Sequence, residues 1–109
     1  MSSINCVLLN NSLTDLLTLD YDNAITLNQN ASFTPNSNGY VMATGISTST
    51  YGNLAICLGN SYNKPNIICI SQLQNGYNLG INCLVSKGQT YYLYNENVTI
   101  HYAKFIPFK

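Results

Sequence analysis

Val98-Thr99-Ile100-His101-Tyr102-Ala103 is the stretch on which the fold is read: Val98, Ile100 and Tyr102 fall on one side, with Thr99, His101 and Ala103 on the other. A period of two is the signature of a half-buried strand. The same short apolar or alternating runs recur outward along the chain at Ile4 to Leu9, Leu13 to Leu19, Ala24 to Leu27, Tyr40 to Ile46, Asn53 to Leu58, Asn66 to Leu73, Asn78 to Val85 and Thr90 to Tyr94. Between them lie Pro35-Asn36-Ser37-Asn38-Gly39, Gly59-Asn60-Ser61-Tyr62-Asn63-Lys64-Pro65, Asn75-Gly76 and Lys87-Gly88, where Gly and Asn accept the positive φ that turns require. Only Leu13 to Leu19, with leucines at 13, 16 and 17, has the spacing of a short helical turn, and Thr14 and Thr18 favour a strand there. Eight or nine short strands in 109 residues, with no internal repeat or linker, predict an all-β, single-domain antiparallel β-sandwich or jelly roll of about eight strands. Residues 18–109 would form the sandwich, and residues 1–17 an N-terminal strand or attachment segment.

Charge limits what such a domain can bind. Only 7% of residues are charged, against about 25% in an ordinary domain. Arg is absent, the four Lys balance the four acidic residues, and the net charge is zero. Nothing here builds the basic stripe that nucleic acid requires, and a neutral surface permits close self-association. No run approaches the roughly 20 apolar residues of a membrane span, and Ile4 to Leu9 is too short and too polar for a signal-peptide core. The mature chain is therefore expected to begin at Met1 and to fold in a reducing cytoplasm. Cys6, Cys57, Cys69 and Cys83 each sit inside an apolar run and form no C-x-x-C. That placement predicts buried free thiols, with a disulfide or a metal site as weaker alternatives.

Catalysis finds few candidates. His101 is the only histidine, and its place in an alternating strand suits an exposed residue better than a base. A Cys–His dyad would need an activated thiol, whereas these cysteines read as inert. Asp20 and Asp22 flank Tyr21 and would share a face of an extended strand, but the other ligands of a calcium loop are missing. No nucleophile elbow, phosphate loop or dinucleotide fingerprint occurs. The chain reads as a non-enzyme with no cofactor and no metal. Binding is better supplied, because nine Tyr and no Trp suit a surface that recognises sugars or proteins. Tyr62 with its neighbour Asn63, and Tyr77, fall in Asn-rich loops and are the ligand-binding candidates.

Asp20-Tyr21-Asp22-Asn23-Ala24-Ile25-Thr26-Leu27, Phe33-Thr34-Pro35 leading to Asn38-Gly39-Tyr40-Val41, Leu84-Val85-Ser86-Lys87-Gly88-Gln89 and the closing Lys104-Phe105-Ile106-Pro107-Phe108-Lys109 stand in that order. This layout resembles small phage and prophage virion proteins, the head-fibre, tail-fibre and receptor-binding tip domains with a sandwich like the heads of tumour necrosis factor and C1q. The resemblance runs from about residue 20 onward. It implies a homotrimeric fibre, decoration or adhesin-type subunit of the virion, assembled in the host cytoplasm with other virion proteins, with a host surface glycan as a further partner. It implies neither nucleic-acid binding nor membrane insertion. With no shaft preceding the domain, attachment would use Ser2 to Leu17 or the domain surface. A free-standing carbohydrate-binding module is the alternative, and a small hydrolase a distant third.

Two segments bear on assembly. Ala55-Ile56-Cys57-Leu58 and Ile67-Ile68-Cys69-Ile70 are apolar throughout, although a strand in a two-layer sandwich has one inward face. Their outer faces would form a patch rare on a soluble monomer, so a second copy is expected to cover it through Ile56, Leu58, Ile68 and Ile70. Two copies is the commoner outcome in general, and the choice of three rests on the resemblance. The cysteine placement gives a direct test: alkylation under denaturing, non-reducing conditions should modify all four thiols. A mass showing two or none modified would overturn the free-thiol reading.

Overall fold

Alternating burial organises the computed structural model, which describes residues 18–109. Gly39–Ser47 (β3) buries every odd residue of its nine, and Asn78–Val85 (β6) buries every second one in the same way. The remaining strands are Ile25–Thr26 (β1), Ala31–Phe33 (β2), Gly52–Leu58 (β4), Ile67–Leu73 (β5), Tyr91–Glu96 (β7) and Val98–Pro107 (β8). Two four-stranded sheets result, ordered β1-β8-β3-β6 and β2-β7-β4-β5, and every pairing is antiparallel. First pairs with last, second with seventh, third with sixth and fourth with fifth. That is a long hairpin rolled over on itself, the strand order of an eight-stranded jelly roll.

The sheets meet through their inward residues. Val41, Ala43, Leu79, Ile81, Cys83, Val85, Ala103 and Phe105 of the first sheet pack with Leu54, Ile56, Tyr91 and Leu93 of the second. Tyr91 is 4% exposed, stacks on Phe33 at 5.6 Å between centroids, and accepts a hydrogen bond from the Ser86 amide at 2.8 Å. Its hydroxyl therefore enters the core edge without an unmet bond.

Several expectations are corrected here. β2 is not among the sequence runs, because three residues are too few to show alternation. The runs at Ile4 to Leu9 and most of Leu13 to Leu19, Cys6 and the attachment segment 1–17 lie outside the described residues. In β8 the simple alternation fails. Gly45 pairs with Ile100 but Thr44 with Tyr102, so His101 is the extra residue of a β-bulge. The bulge flips the phase: Ala103 is buried at 3%, while Tyr102 faces outward, 41% exposed, on the side opposite Ile100. Ile56 is corrected as well. It points inward, fully buried in the core opposite Leu93 and Cys69, and cannot form an outer interface.

The outward residues of β4, Ala55 and Cys57, are also fully buried, and the cover comes from the chain itself. Their register neighbours on that face are Tyr94 and Tyr92. The β4–β5 loop folds back to stack Tyr62 on Tyr94 at 4.0 Å between centroids. Tyrosine rings thus replace the expected second copy over β4. Ile68 and Ile70, outward on β5, stay exposed at 41% and 44%.

Close approach of β3 and β8 demands glycine at position 45, where an added Cβ would lie 2.5 Å from the Thr99 carbonyl oxygen and 2.6 Å from Val98 Cγ1. Gly80 of β6 differs, since its nearest neighbours would be 3.8 Å away. Gly45→Ala should destabilise by about 1–3 kcal/mol through overpacking, while Gly80→Ala should stay within about 0.5 kcal/mol of wild type. Urea unfolding midpoints measure both, and equal midpoints would remove close approach as the constraint.

Candidate functional site

Ser47, 2% exposed, is the buried polar residue from which one end of the sandwich is organised. Its amide donates to the Tyr77 carbonyl at 3.0 Å, its carbonyl accepts from the Gly76 amide at 2.9 Å, and its hydroxyl donates to the Ser49 carbonyl at 3.3 Å. The β3–β4 loop and the β5–β6 turn are thereby tied to one residue. Gly76, at φ +86°, supplies the left-handed conformation of that turn. The β7–β8 hairpin joins the same end through Asn97, also at positive φ. Its carbonyl accepts from the Thr48 amide at 2.9 Å and hydroxyl at 3.0 Å, and its side-chain amide donates to the Tyr51 carbonyl at 3.4 Å.

These ties bring the backbones of two exposed tyrosines to the same end of the sandwich. Tyr51 and Tyr77, each 60% exposed, line a cleft of about 320 Å³ with Gln72, Leu73 and Gln74. None of the five carries a charge. The register places a polar row next to Gln72 on the outer face, where Glu96 pairs with Asn53 and Asn53 with Gln72. Asn53 Nδ2 donates to Glu96 Oε1 at 3.1 Å, and the Tyr94 hydroxyl donates to Glu96 Oε2 at 2.5 Å. Asn53 Oδ1 is buried with no hydrogen-bond partner among the described residues.

Of the ligand candidates read from the sequence, Tyr77 belongs to this cleft. Tyr62 and Asn63 do not, because they precede β5 while Tyr77 follows it, at opposite ends of that strand. Tyr62 is half-buried under its stack with Tyr94, and Asn63 is exposed at the start of a 3₁₀ turn over Lys64–Asn66. Tyr51, Gln72 and Gln74 are missing from the sequence reading. The Asn75-Gly76 turn signal predicts that residues 74 and 77 approach, but nothing local brings Tyr51 to them.

The residues weighed for catalysis stay apart. His101 is exposed on β8, whose neighbours β1 and β3 carry no cysteine. Asp20 and Asp22 do not share the face of an extended strand, because Tyr21–Asn23 forms a 3₁₀ turn. Asp20 Oδ2 accepts from Asn23 Nδ2 at 2.6 Å, and Asp22 faces solvent. No group of three His, Cys, Asp or Glu among the described residues is placed to hold a metal ion. Cys57 and Cys83 are buried free thiols, whereas Cys69 is only half-buried. The neighbouring Cys83 thiol together with burial pushes the Cys69 thiol well above its ordinary range. Such a thiol is a poor nucleophile.

Comparison of the chain with protein-family models, with curated proteins and with solved structures finds no match.

The Tyr94–Glu96 bond makes a pH prediction. Donation to the Glu96 carboxylate, helped by burial, pushes the Tyr94 phenol up to about 12 from an ordinary 10. A phenol whose folded value is raised contributes stability that is fully present below about 10 and lost as pH rises through about 12. Ultraviolet titration of the phenolates should show a step near the upper value that Tyr94→Phe removes. An unchanged titration in that variant would refute the assignment.

Proposed function

We propose that the chain is a non-catalytic structural subunit that assembles with copies of itself, serving as a fibre, decoration or adhesin-type subunit of a phage head or tail. One observation carries the self-assembly: among the described residues the jelly roll has one blunted edge and one open edge. β1 and β2, with two and three residues, border one side. β5 and β6, with seven and eight residues, border the other, and neither holds a charge or a proline. Edge strands of soluble proteins are usually shortened, charged or covered, because their free amides and carbonyls pair with other chains. Here Ile68 and Ile70 flank β5 and Leu84, 62% exposed, flanks β6. Cover by another copy is the arrangement that fits a chain of zero net charge.

Three copies in a ring need a heterologous contact, in which the edge of one subunit meets a different surface of the next. The outer face of the first sheet supplies an apolar one. Leu19, Tyr40, Leu84 and Phe108 line a hollow of about 160 Å³, and Tyr21, Met42, Tyr102, Lys104 and Ile106 an adjoining one of about 190 Å³. The virion setting rests on the resemblance of the motifs from Asp20 to Lys109. Localisation to an intact particle by electron cryomicroscopy tests it.

Light scattering tests the assembly. Three times the 12.0 kDa of one chain supports the trimer, twice that mass keeps an interface but rejects the trimer, and the mass of a single chain rejects assembly. Ile68→Lys combined with Leu84→Lys should return the protein to the single-chain mass with its circular dichroism unchanged.

A further inference from the structure

We infer that the cleft between Tyr51 and Tyr77 binds an uncharged saccharide. Two tyrosines, whose backbone carbonyls are tied by the Ser47 amide and the Asn97 side chain, present flat apolar rings that have few rotamers to lose on binding. A pyranose ring carries C–H groups on one face that pack on such a ring. Its hydroxyls, which both donate and accept, match the amides of Gln72 and Gln74. A volume of about 320 Å³ sits at the lower end of the range for small-molecule sites, roughly 300–1,000 Å³, and suits one or two sugar rings rather than a large ligand.

Charge selects against acidic ligands. Loops joining β3 to β4, β5 to β6 and β7 to β8 meet at the cleft end, and that end holds no lysine. Lys64 and Lys87 lie in the β4–β5 and β6–β7 loops of the opposite end, Lys109 follows β8 there, and Lys104 is on the outer face of β8. Among the described residues the one charge near the cleft is Glu96, already engaged by Tyr94 and Asn53. A sialylated or sulfated sugar would find no cation and one carboxylate.

Aromatic clefts also take proline-rich peptides, and the polar groups decide between the two. A polyproline backbone offers carbonyl acceptors and almost no donors. Gln72 and Gln74 each bring a carbonyl acceptor as well as an amide donor. Asn53, the register partner of Gln72, holds a buried Oδ1 that lacks a donor among the described residues. A saccharide hydroxyl supplies a donor for the glutamine carbonyls as well as an acceptor for their amides, whereas a polyproline backbone supplies acceptors alone. This inference deepens the adhesin reading by naming a receptor class, yet the cleft belongs to a single subunit, so it stands or falls apart from the oligomeric state.

The test uses the full chain on an array of glycans ending in glucose, galactose, mannose or N-acetylglucosamine, with sialylated and sulfated glycans and a polyproline peptide alongside. Retention of at least one neutral glycan is expected. Tyr51→Ala and Tyr77→Ala should each weaken it roughly tenfold, the equivalent of about 1.4 kcal/mol, whereas Tyr51→Phe, which keeps the ring, should stay within about threefold, less than that step. Tyr62→Ala, at the other end of β5, should bind as wild type does. Circular dichroism on each variant separates lost binding from lost folding. Failure to retain any neutral glycan, retention of charged glycans or the peptide alone, or undiminished binding by both alanine variants would overturn the inference.

Discussion

The closeness of β3 to β8 is the constraint on which the first sheet depends. Two glycines on β3 allow it: a Cβ at Gly39 would fall 2.4 Å from the Phe105 ring, and one at Gly45 would strike the Thr99 carbonyl. Between them the ladder absorbs the extra residue His101. Without that bulge the alternation begun at Val98 and Ile100 would carry Tyr102 and Lys104 into the core and leave Ala103 and Phe105 in water. Burying an amine without a partner costs far more than a bulge does. The chain therefore keeps two hydrophobic half-strands in one continuous strand and changes phase between them.

Much of this fold was legible because burial on one face writes itself into the sequence with period two. The β6 run coincides with the strand from Asn78 to Val85, and the β3 run falls one residue short at each end. β2 was illegible because Ala31–Phe33 is fixed by its partner β7 rather than by its own pattern. The phase change in β8 was illegible for a related reason. His101 carries nothing that marks it as surplus, and the glycine that makes room for the bulge lies on another strand. The all-apolar run of β4 suggests a second copy, yet Tyr62 and its stack with Tyr94 supply the cover from within the chain. A loop that folds back over a sheet has no signature in the sheet's own residues.

The candidate cleft shows the same limit more sharply. Tyr77 was visible as a loop tyrosine, and Tyr62 looked equivalent to it. Seven residues of β5 separate the segments that carry them, and an extended strand of that length spans roughly 23 Å. Tyr51, by contrast, sits 26 positions before Tyr77 and is brought to the same end because the Asn97 side chain bonds the Tyr51 carbonyl while Ser47 bonds the Tyr77 carbonyl. Sequence reading ranks residues by type and local context, while a site is an agreement between distant loops. Here that agreement runs through a serine that chemistry-directed reading passes over, since its hydroxyl contacts only the Ser49 backbone carbonyl.

The two ends and two edges of the sandwich are differentiated in ways that fit together. Lys64, Lys87 and Lys109 gather at the end away from the cleft, where Asp20 and Asp22 also lie near the C-terminus through the Asp20 amide bond to the Pro107 carbonyl. Among the described residues the cleft end is left nearly neutral. On the sides, very short β1 and β2 close one edge, while β5 and β6 leave the other long, uncharged and flanked by Ile68, Ile70 and Leu84. A monomer would be expected to protect such an edge with a lysine or a proline. The chain does have lysines to place, and puts them elsewhere. Because the β5–β6 turn at the tip of that edge also carries Tyr77, subunits meeting there would bring their clefts toward one another. Several weak sugar contacts would then act on one surface, and linked contacts gain far more than a single cleft of this size supplies.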